Sequence, residues 1–97
     1  MDEQKLSRLH AIVEGRVQGV SFRYFVSEQA HFLGIMGWVR NRTDGSVEVM
    51  VEGPRSQLEL LLDELSVGPH SASVSEVKVE WLEATGEFSS FWVRSTD

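Results

Sequence analysis

Apolar residues recur along the chain at two different periods, and the switches between them mark out the elements. Residues 9–15 carry Leu9, Ala11 and Val13 on one face and His10, Ile12 and Glu14 on the other, an imperfect but β-rich alternation that predicts a strand. Over residues 22–33 the period lengthens: Phe22, Phe25, Val26, Ala30 and Leu33 fall at helical spacing, with Ser21 as the expected N-cap and Gly34 as the stop. Residues 36–42 and 46–52 predict a strand pair around the tight-turn dipeptide Asp44-Gly45, the second strand alternating Val47, Val49 and Val51 against Glu48, Met50 and Glu52. Pro54 opens a second helix in which Leu58, Leu61, Leu62 and Leu65 lie at i, i+3, i+4 and i+7, and Gly68-Pro69 ends it. Residues 74–82 alternate again, and residues 91–94 suit a last short strand.

The order βαββαβ plus a terminal strand suits an α+β fold of the ferredoxin-like kind: an antiparallel sheet with both helices on one face and a short extra strand at the C-terminal end. In that arrangement the first two strands run parallel with the third between them. The turn after strand one, residues 15–21, is therefore expected to face the end of strand two, Arg40-Asn41-Arg42, across the third strand.

Composition narrows the classes. Ninety-seven residues suit a single domain over residues 1–97, with residues 1–8 expected to be a loose N-terminal segment. With 41% hydrophobic and 25% charged residues, the chain has ordinary globular composition. The absence of cysteine excludes a disulfide framework, a thiolate nucleophile and Cys-ligated metal sites. The first ten residues have no apolar run, so neither a signal peptide nor a membrane span is expected, and a cytoplasmic location is.

The net charge is −6, which disfavours nonspecific binding to nucleic acid or an anionic membrane. Its distribution is uneven. Residues 15–42 hold Arg16, Arg23, Arg40 and Arg42 against Glu28 alone, a local +3, while the remainder holds five basic and fourteen acidic residues, or −9. Because the topology sets the two segments side by side, the basic segment is expected to fold into one site, where a small anion could be held.

The turn Gly15-Arg16-Val17-Gln18-Gly19-Val20-Ser21 runs straight into a helix N-terminus, where unpaired backbone N–H groups and the positive end of the helix dipole favour a phosphate. It lacks the Lys-Ser/Thr pair of a nucleotide-binding P-loop, so magnesium-dependent nucleotide hydrolysis is not indicated. Arg23, in the first helical turn, can point its planar fork at the same anion.

These residues resemble a known family. Residues 15–23, GRVQGVSFR, are similar to the acylphosphatase signature G-x-V-Q-G-V-x-F-R, and Gly37-Trp38-Val39-Arg40-Asn41 with residues 44–49 resembles that family's second block. The resemblance implies hydrolysis of a carboxyl-phosphate to carboxylate and inorganic phosphate, without metal or other cofactor, the phosphate acting as product and inhibitor. Arg23 matches the family's substrate-phosphate arginine, Asn41 its water-orienting asparagine, and the backbone of Gln18, Gly19, Val20, Ser21 and Phe22 its phosphate cradle. A monomer is expected.

Elementary chemistry agrees with these roles. The leaving carboxylate has a low pKa and needs no strong general acid, while phosphoryl transfer is catalysed mainly by positioning and by charge stabilisation at the equatorial oxygens. A carboxamide takes no proton near neutral pH but can hold a water in line. His10, His31 and His70 fall on three elements without metal-ligand spacing, and Arg16 is assigned no catalytic role. Two other classes compete: a non-catalytic anion-binding domain that keeps the cradle, and an RNA-recognition module, which shares the element order but wants stacking aromatics that residues 47–52 lack.

Overall fold

A computed structural model describes residues 5–97. Its elements follow the order β1 (Leu6–Arg16), α1 (Phe22–Leu33), β2 (Met36–Asn41), β3 (Val47–Pro54), α2 (Arg55–Val67), β4 (Ser73–Glu83) and β5 (Phe91–Val93). The strands form one sheet in the order β4-β1-β3-β2-β5. The pairs β1/β3, β1/β4 and β2/β3 are antiparallel, as expected, with β3 between β1 and β2. The expected short extra strand at the C-terminal end is β5, whose partner and direction the sequence left open. It pairs parallel with β2, Gly37 to Phe91 through Val39 to Val93, so the sheet is mixed.

The alternation decides which side is covered. Leu9, Ala11 and Val13 of β1, Val39 of β2 and Val47, Val49 and Val51 of β3 are fully buried and face the helices. From α1 come Phe22, Val26 and Ala30, and from α2 Leu58, Leu61 and Leu65, so both helices pack their apolar stripes on that one side. Truncating a fully buried leucine such as Leu58 to alanine would cost about 2–5 kcal/mol, the sum of lost transfer energy and the cavity left behind. Helix α1 stops where the sequence predicts. Gly34 is left-handed at φ 71°, its N–H donating to His31 O while the N–H of Ile35 donates to Ala30 O, the paired bonds of a Schellman end.

The opposite sheet face carries no helix among the described residues and holds ion pairs. His10 Nε2 lies 2.6 Å from Glu48 Oε2, and Arg40 donates to the other Glu48 oxygen at 2.8 Å. At the far end of this face Glu52, 6% exposed, anchors the segment that carries the chain from β4 across to β5. Its carboxylate accepts the N–H groups of Thr85 (2.8 Å) and Gly86 (3.0 Å) and a hydrogen bond from Arg8 (3.0 Å). Burial pushes the Glu52 carboxyl up, but these hydrogen bonds and the Arg8 charge outweigh it and hold the group below its ordinary range.

Two local expectations are corrected. Strand β1 starts at Leu6, because residues 6–8 pair with β3, and Ser7 and Arg8 with β4 as well; of the loose segment expected over residues 1–8, residues 1–4 lie outside the described residues. The β2–β3 connection is wider than a two-residue turn. Its last pair is Asn41 with Val47, and the Asp44 carboxylate braces it by accepting the N–H (2.9 Å) and hydroxyl (2.6 Å) of Ser46. Those two bonds hold the Asp44 carboxyl below its ordinary range.

Candidate active site

The site is built where β1 hands over to α1. A register shift between Glu14 and Gly15 bends β1 at its end, and Gly15 sits at φ 125°, where a Cβ would fall 2.2 Å from the Ser73 carbonyl oxygen. Beyond it, Val17 is 1% exposed and pegs the loop into the core. Gly19 then turns left-handed at φ 72°. Ser21 follows at φ 62°, the only described non-glycine residue with positive φ. Its side chain makes no capping hydrogen bond, which corrects the expected N-cap role: the left-handed backbone turns the hydroxyl away from the helix end, and the Ser21 carbonyl instead accepts Phe25 N–H at 3.0 Å. Such strain costs on the order of 1–3 kcal/mol and persists only where the surroundings impose it.

This path leaves a row of donors unused. Among the described residues, none of the N–H groups of Gln18, Gly19, Val20, Ser21 and Phe22 donates to another backbone or side-chain group. Consecutive free N–H groups running into a helix N-terminus form a concave anion cradle. Phe22 contributes only its backbone, because its ring is buried and packs edge-on against Phe25 at 5.9 Å.

Arg23 and Asn41, which the chain separates by a helix and a strand, line one cleft of about 350 Å³ together with Gly19, Ser21 and Phe22. Arg23 is half-buried and, among the described residues, has no carboxylate partner. Asn41 ends β2, and among the described residues its carboxamide has no hydrogen-bond partner; since no buried side-chain nitrogen or oxygen is left unsatisfied, the carboxamide opens to the cleft. The loop is tied to the β2–β3 turn by Gln18, whose side-chain amide donates to Arg42 O at 2.7 Å and to Ser46 O at 2.8 Å. This contact across β3 is the juxtaposition expected from the topology. Of the cradle residues, Gln18 and Val20 do not line the cleft; Gln18 holds the loop from behind and Val20 packs against the core.

The arginine-rich segment does not gather as a whole. Arg40 alternates onto the open sheet face, where it bonds Glu48 and lies 5.1 Å from the Trp38 ring centroid, and Arg42 faces Asp97 at 3.7 Å. Of the four arginines only Arg23 lines the cleft. The rest of the lining was not singled out from sequence: Val17, Tyr24, Ser27 and Val93. Ser27 stands one helical turn from Arg23, so helical spacing could have flagged it, whereas Val93 arrives only through the parallel pairing of β5. Glu28, one turn on from Tyr24, holds the tyrosine phenol above its ordinary range. Among the described residues no three His, Cys, Asp or Glu side chains cluster as a metal site would require, and no helix is long and apolar enough to cross a membrane.

A family model described as acylphosphatase matches residues 9–93. The chain belongs to the acylphosphatase family. Acylphosphatases of Pelotomaculum thermopropionicum and Moorella thermoacetica are each 52% identical to it, the first over 88% of this chain and 92% of its own length, the second over 94% and 97%. The crystal structure of acylphosphatase from Bacillus subtilis is similar with a TM-score of 0.88 at 35% identity, covering 91% of this chain and 98% of that one. The family match over residues 9–93 takes in the loop, both helices and the parallel edge strand.

Proposed function

We propose that this acylphosphatase hydrolyses acyl phosphates to a carboxylate and inorganic phosphate, the N–H groups of Gln18, Gly19, Val20, Ser21 and Phe22 and the Arg23 guanidinium binding the phosphoryl group and Asn41 orienting the attacking water. The observation that carries this reading is the row of unused N–H groups on a strained loop, of which Gly19, Ser21 and Phe22 line the same cleft as an arginine that has no carboxylate partner, and a carboxamide that has no hydrogen-bond partner, among the described residues.

Water attacks phosphorus as the bond from phosphorus to the acyl oxygen breaks, and that bond's electron pair leaves with the carboxylate. Charge spreads over the three equatorial oxygens, where preorganised N–H donors and the arginine fork stabilise it without reorganisation. The carboxylate leaves without needing a proton. Asn41 holds the water by its carboxamide oxygen and NH2, and the water's proton passes to a phosphoryl oxygen, because a carboxamide cannot accept it. We further propose that the protein works as a cytoplasmic monomer, which sedimentation of the purified chain checks.

The test is turnover of benzoyl phosphate in the presence of excess chelator, with inorganic phosphate added as inhibitor. Sustained turnover with competitive inhibition by phosphate is expected. Phosphate binding without turnover would instead support a non-catalytic anion-binding domain, and activity that vanishes with chelator and returns with magnesium would overturn the metal-free mechanism.

A further inference from the structure

We propose that Tyr24, Ser27 and Val93 form an acyl-group subsite that favours acyl phosphates with an uncharged, apolar acyl group over those carrying a second anionic group. The inference rests on the assignment of the cradle, Arg23 and Asn41 to the phosphoryl group and adds which substrates reach it.

With those residues assigned to the phosphoryl end, the cleft lining leaves Val17 as a buried floor and Tyr24, Ser27 and Val93 as the other end. Arg23 and Ser27 lie four apart on α1, and Tyr24 and Ser27 three apart, so they run in sequence away from the loop along one side of the helix. Val93 forms the facing wall. It pairs with Val39, two residues before Asn41, and shares the helix-facing side of the sheet, while the neighbouring Trp92 pairs with Trp38 on the opposite side. Tyr24 is 65% and Val93 46% exposed, large side chains standing at an open rim where packing does not require them. An acyl group extending away from a phosphoryl group held in the cradle therefore lies between a phenol ring and an isopropyl group. The cleft, at about 350 Å³, has the size of a small-ligand site.

Charge sets the discrimination. Arg23 is the one charged side chain lining the cleft among the described residues, and the phosphoryl group uses it. The other arginines near the loop are engaged elsewhere or stand outside the cleft: Arg40 is on Glu48, Arg42 faces Asp97, Arg94 lies over the Trp38 ring at 4.5 Å, and the exposed Arg16 does not line the cleft. The nearest charge along α1 is the Glu28 carboxylate, close enough to raise the Tyr24 phenol. A distal carboxylate on the acyl group would meet that anion and find no second cation in the cleft lining among the described residues.

The experiment compares kcat/KM for acetyl, benzoyl and succinyl phosphate in the wild type and in Tyr24→Ala, Tyr24→Phe, Val93→Ser and Glu28→Lys, each checked for native circular dichroism. Tyr24→Ala and Val93→Ser are expected to lower the benzoyl-to-acetyl ratio about 5- to 10-fold, mainly through KM. Tyr24→Phe keeps the ring and should keep the ratio. Glu28→Lys should raise the succinyl-to-acetyl ratio about 5-fold at low ionic strength, and less in salt. Unchanged ratios in all variants of an active enzyme would overturn the subsite and leave the proposed reaction standing. A wild type that hydrolyses none of the three would overturn the reaction itself.

Discussion

Replacing Gln18 by alanine tests whether the cradle is held from behind. The substitution removes two hydrogen bonds, to Arg42 O at 2.7 Å and Ser46 O at 2.8 Å, which tie the phosphate loop to the β2–β3 turn. Neither acceptor is orphaned, since Arg42 O keeps the Gly45 N–H at 3.0 Å and Ser46 O keeps the Arg42 N–H at 2.9 Å. The penalty for an unsatisfied buried carbonyl therefore does not arise, and the loss is the net worth of two neutral hydrogen bonds, about 2 kcal/mol. For a domain of this size that lowers Tm by roughly 10 °C, against a total stability on the order of 5–15 kcal/mol, so the variant stays folded. The catalytic cost is separate. A loop freed by about 1 Å misaligns its N–H groups with the equatorial oxygens, and such displacement costs up to about 100-fold in rate. We expect kcat/KM for benzoyl phosphate to fall about 10- to 100-fold, and Gln18→Glu to do no better, because a carboxylate cannot donate to either carbonyl. Urea unfolding and steady-state kinetics on the same preparations provide both numbers. A Gln18→Ala protein with wild-type kcat/KM and a stability loss under about 0.5 kcal/mol would refute the claim that this side chain holds the loop.

Asn41→Ala should lower kcat about 100-fold or more with phosphate affinity nearly unchanged, whereas Arg23→Gln should lose both; an Asn41→Ala enzyme that cannot bind phosphate would show that the residue has another role. Ser21→Gly should be neutral to stabilising by up to about 1 kcal/mol with activity kept, since the side chain makes no capping bond and glycine accepts φ 62° without strain, while Ser21→Val should lose both stability and turnover; thermal melts and kcat decide it. The depressed Glu48 and Glu52 carboxyls make stability acid-sensitive. For Glu48 burial raises the pKa, but hydrogen bonds from His10 and Arg40 outweigh it, as the loop N–H groups do for Glu52. Groups with depressed pKa stabilise the fold above their unfolded value of 4.5 and lose that contribution as pH falls through the folded value. Urea midpoints should therefore drop below pH 4.5, and Glu52→Gln should flatten the drop; an unchanged slope in that variant would remove Glu52 from the explanation.

Most of the architecture follows from periodicity. The alternation through Val47, Val49 and Val51 and the helical spacing of Leu58, Leu61 and Leu65 specify strand and helix because each residue's side-chain direction follows from its local backbone geometry. The loop and Arg23 stand out for a similar reason, glycine spacing and a helix start being local signals, whereas Asn41 is singled out by the resemblance to the family's second block, and the βαββ order leaves few ways to bring the three together. What sequence could not decide depended on pairing over long range. Arg40 and Asn41 are neighbours, yet only Asn41 lines the cleft, because the strand sends Arg40 to Glu48 on the open face while the carboxamide ends the strand. Three residues of β5 are too short for their alternation to reveal a partner, so neither its parallel pairing with β2 nor the arrival of Val93 beside α1 was readable. The left-handed Ser21 was hidden because serine is a common N-cap, and its backbone conformation belongs to a loop held by the buried Val17 and the Gln18 bonds to residues far along the chain. Glu52 reads as one more polar position on a strand until the chain returns across it and its carboxylate meets the N–H groups of Thr85 and Gly86. The sequence determined each element and the chemistry it carries, since those depend on neighbours along the chain; the tertiary structure decided which groups share the cleft, because that depends on partners tens of residues away whose pairing no local pattern encodes.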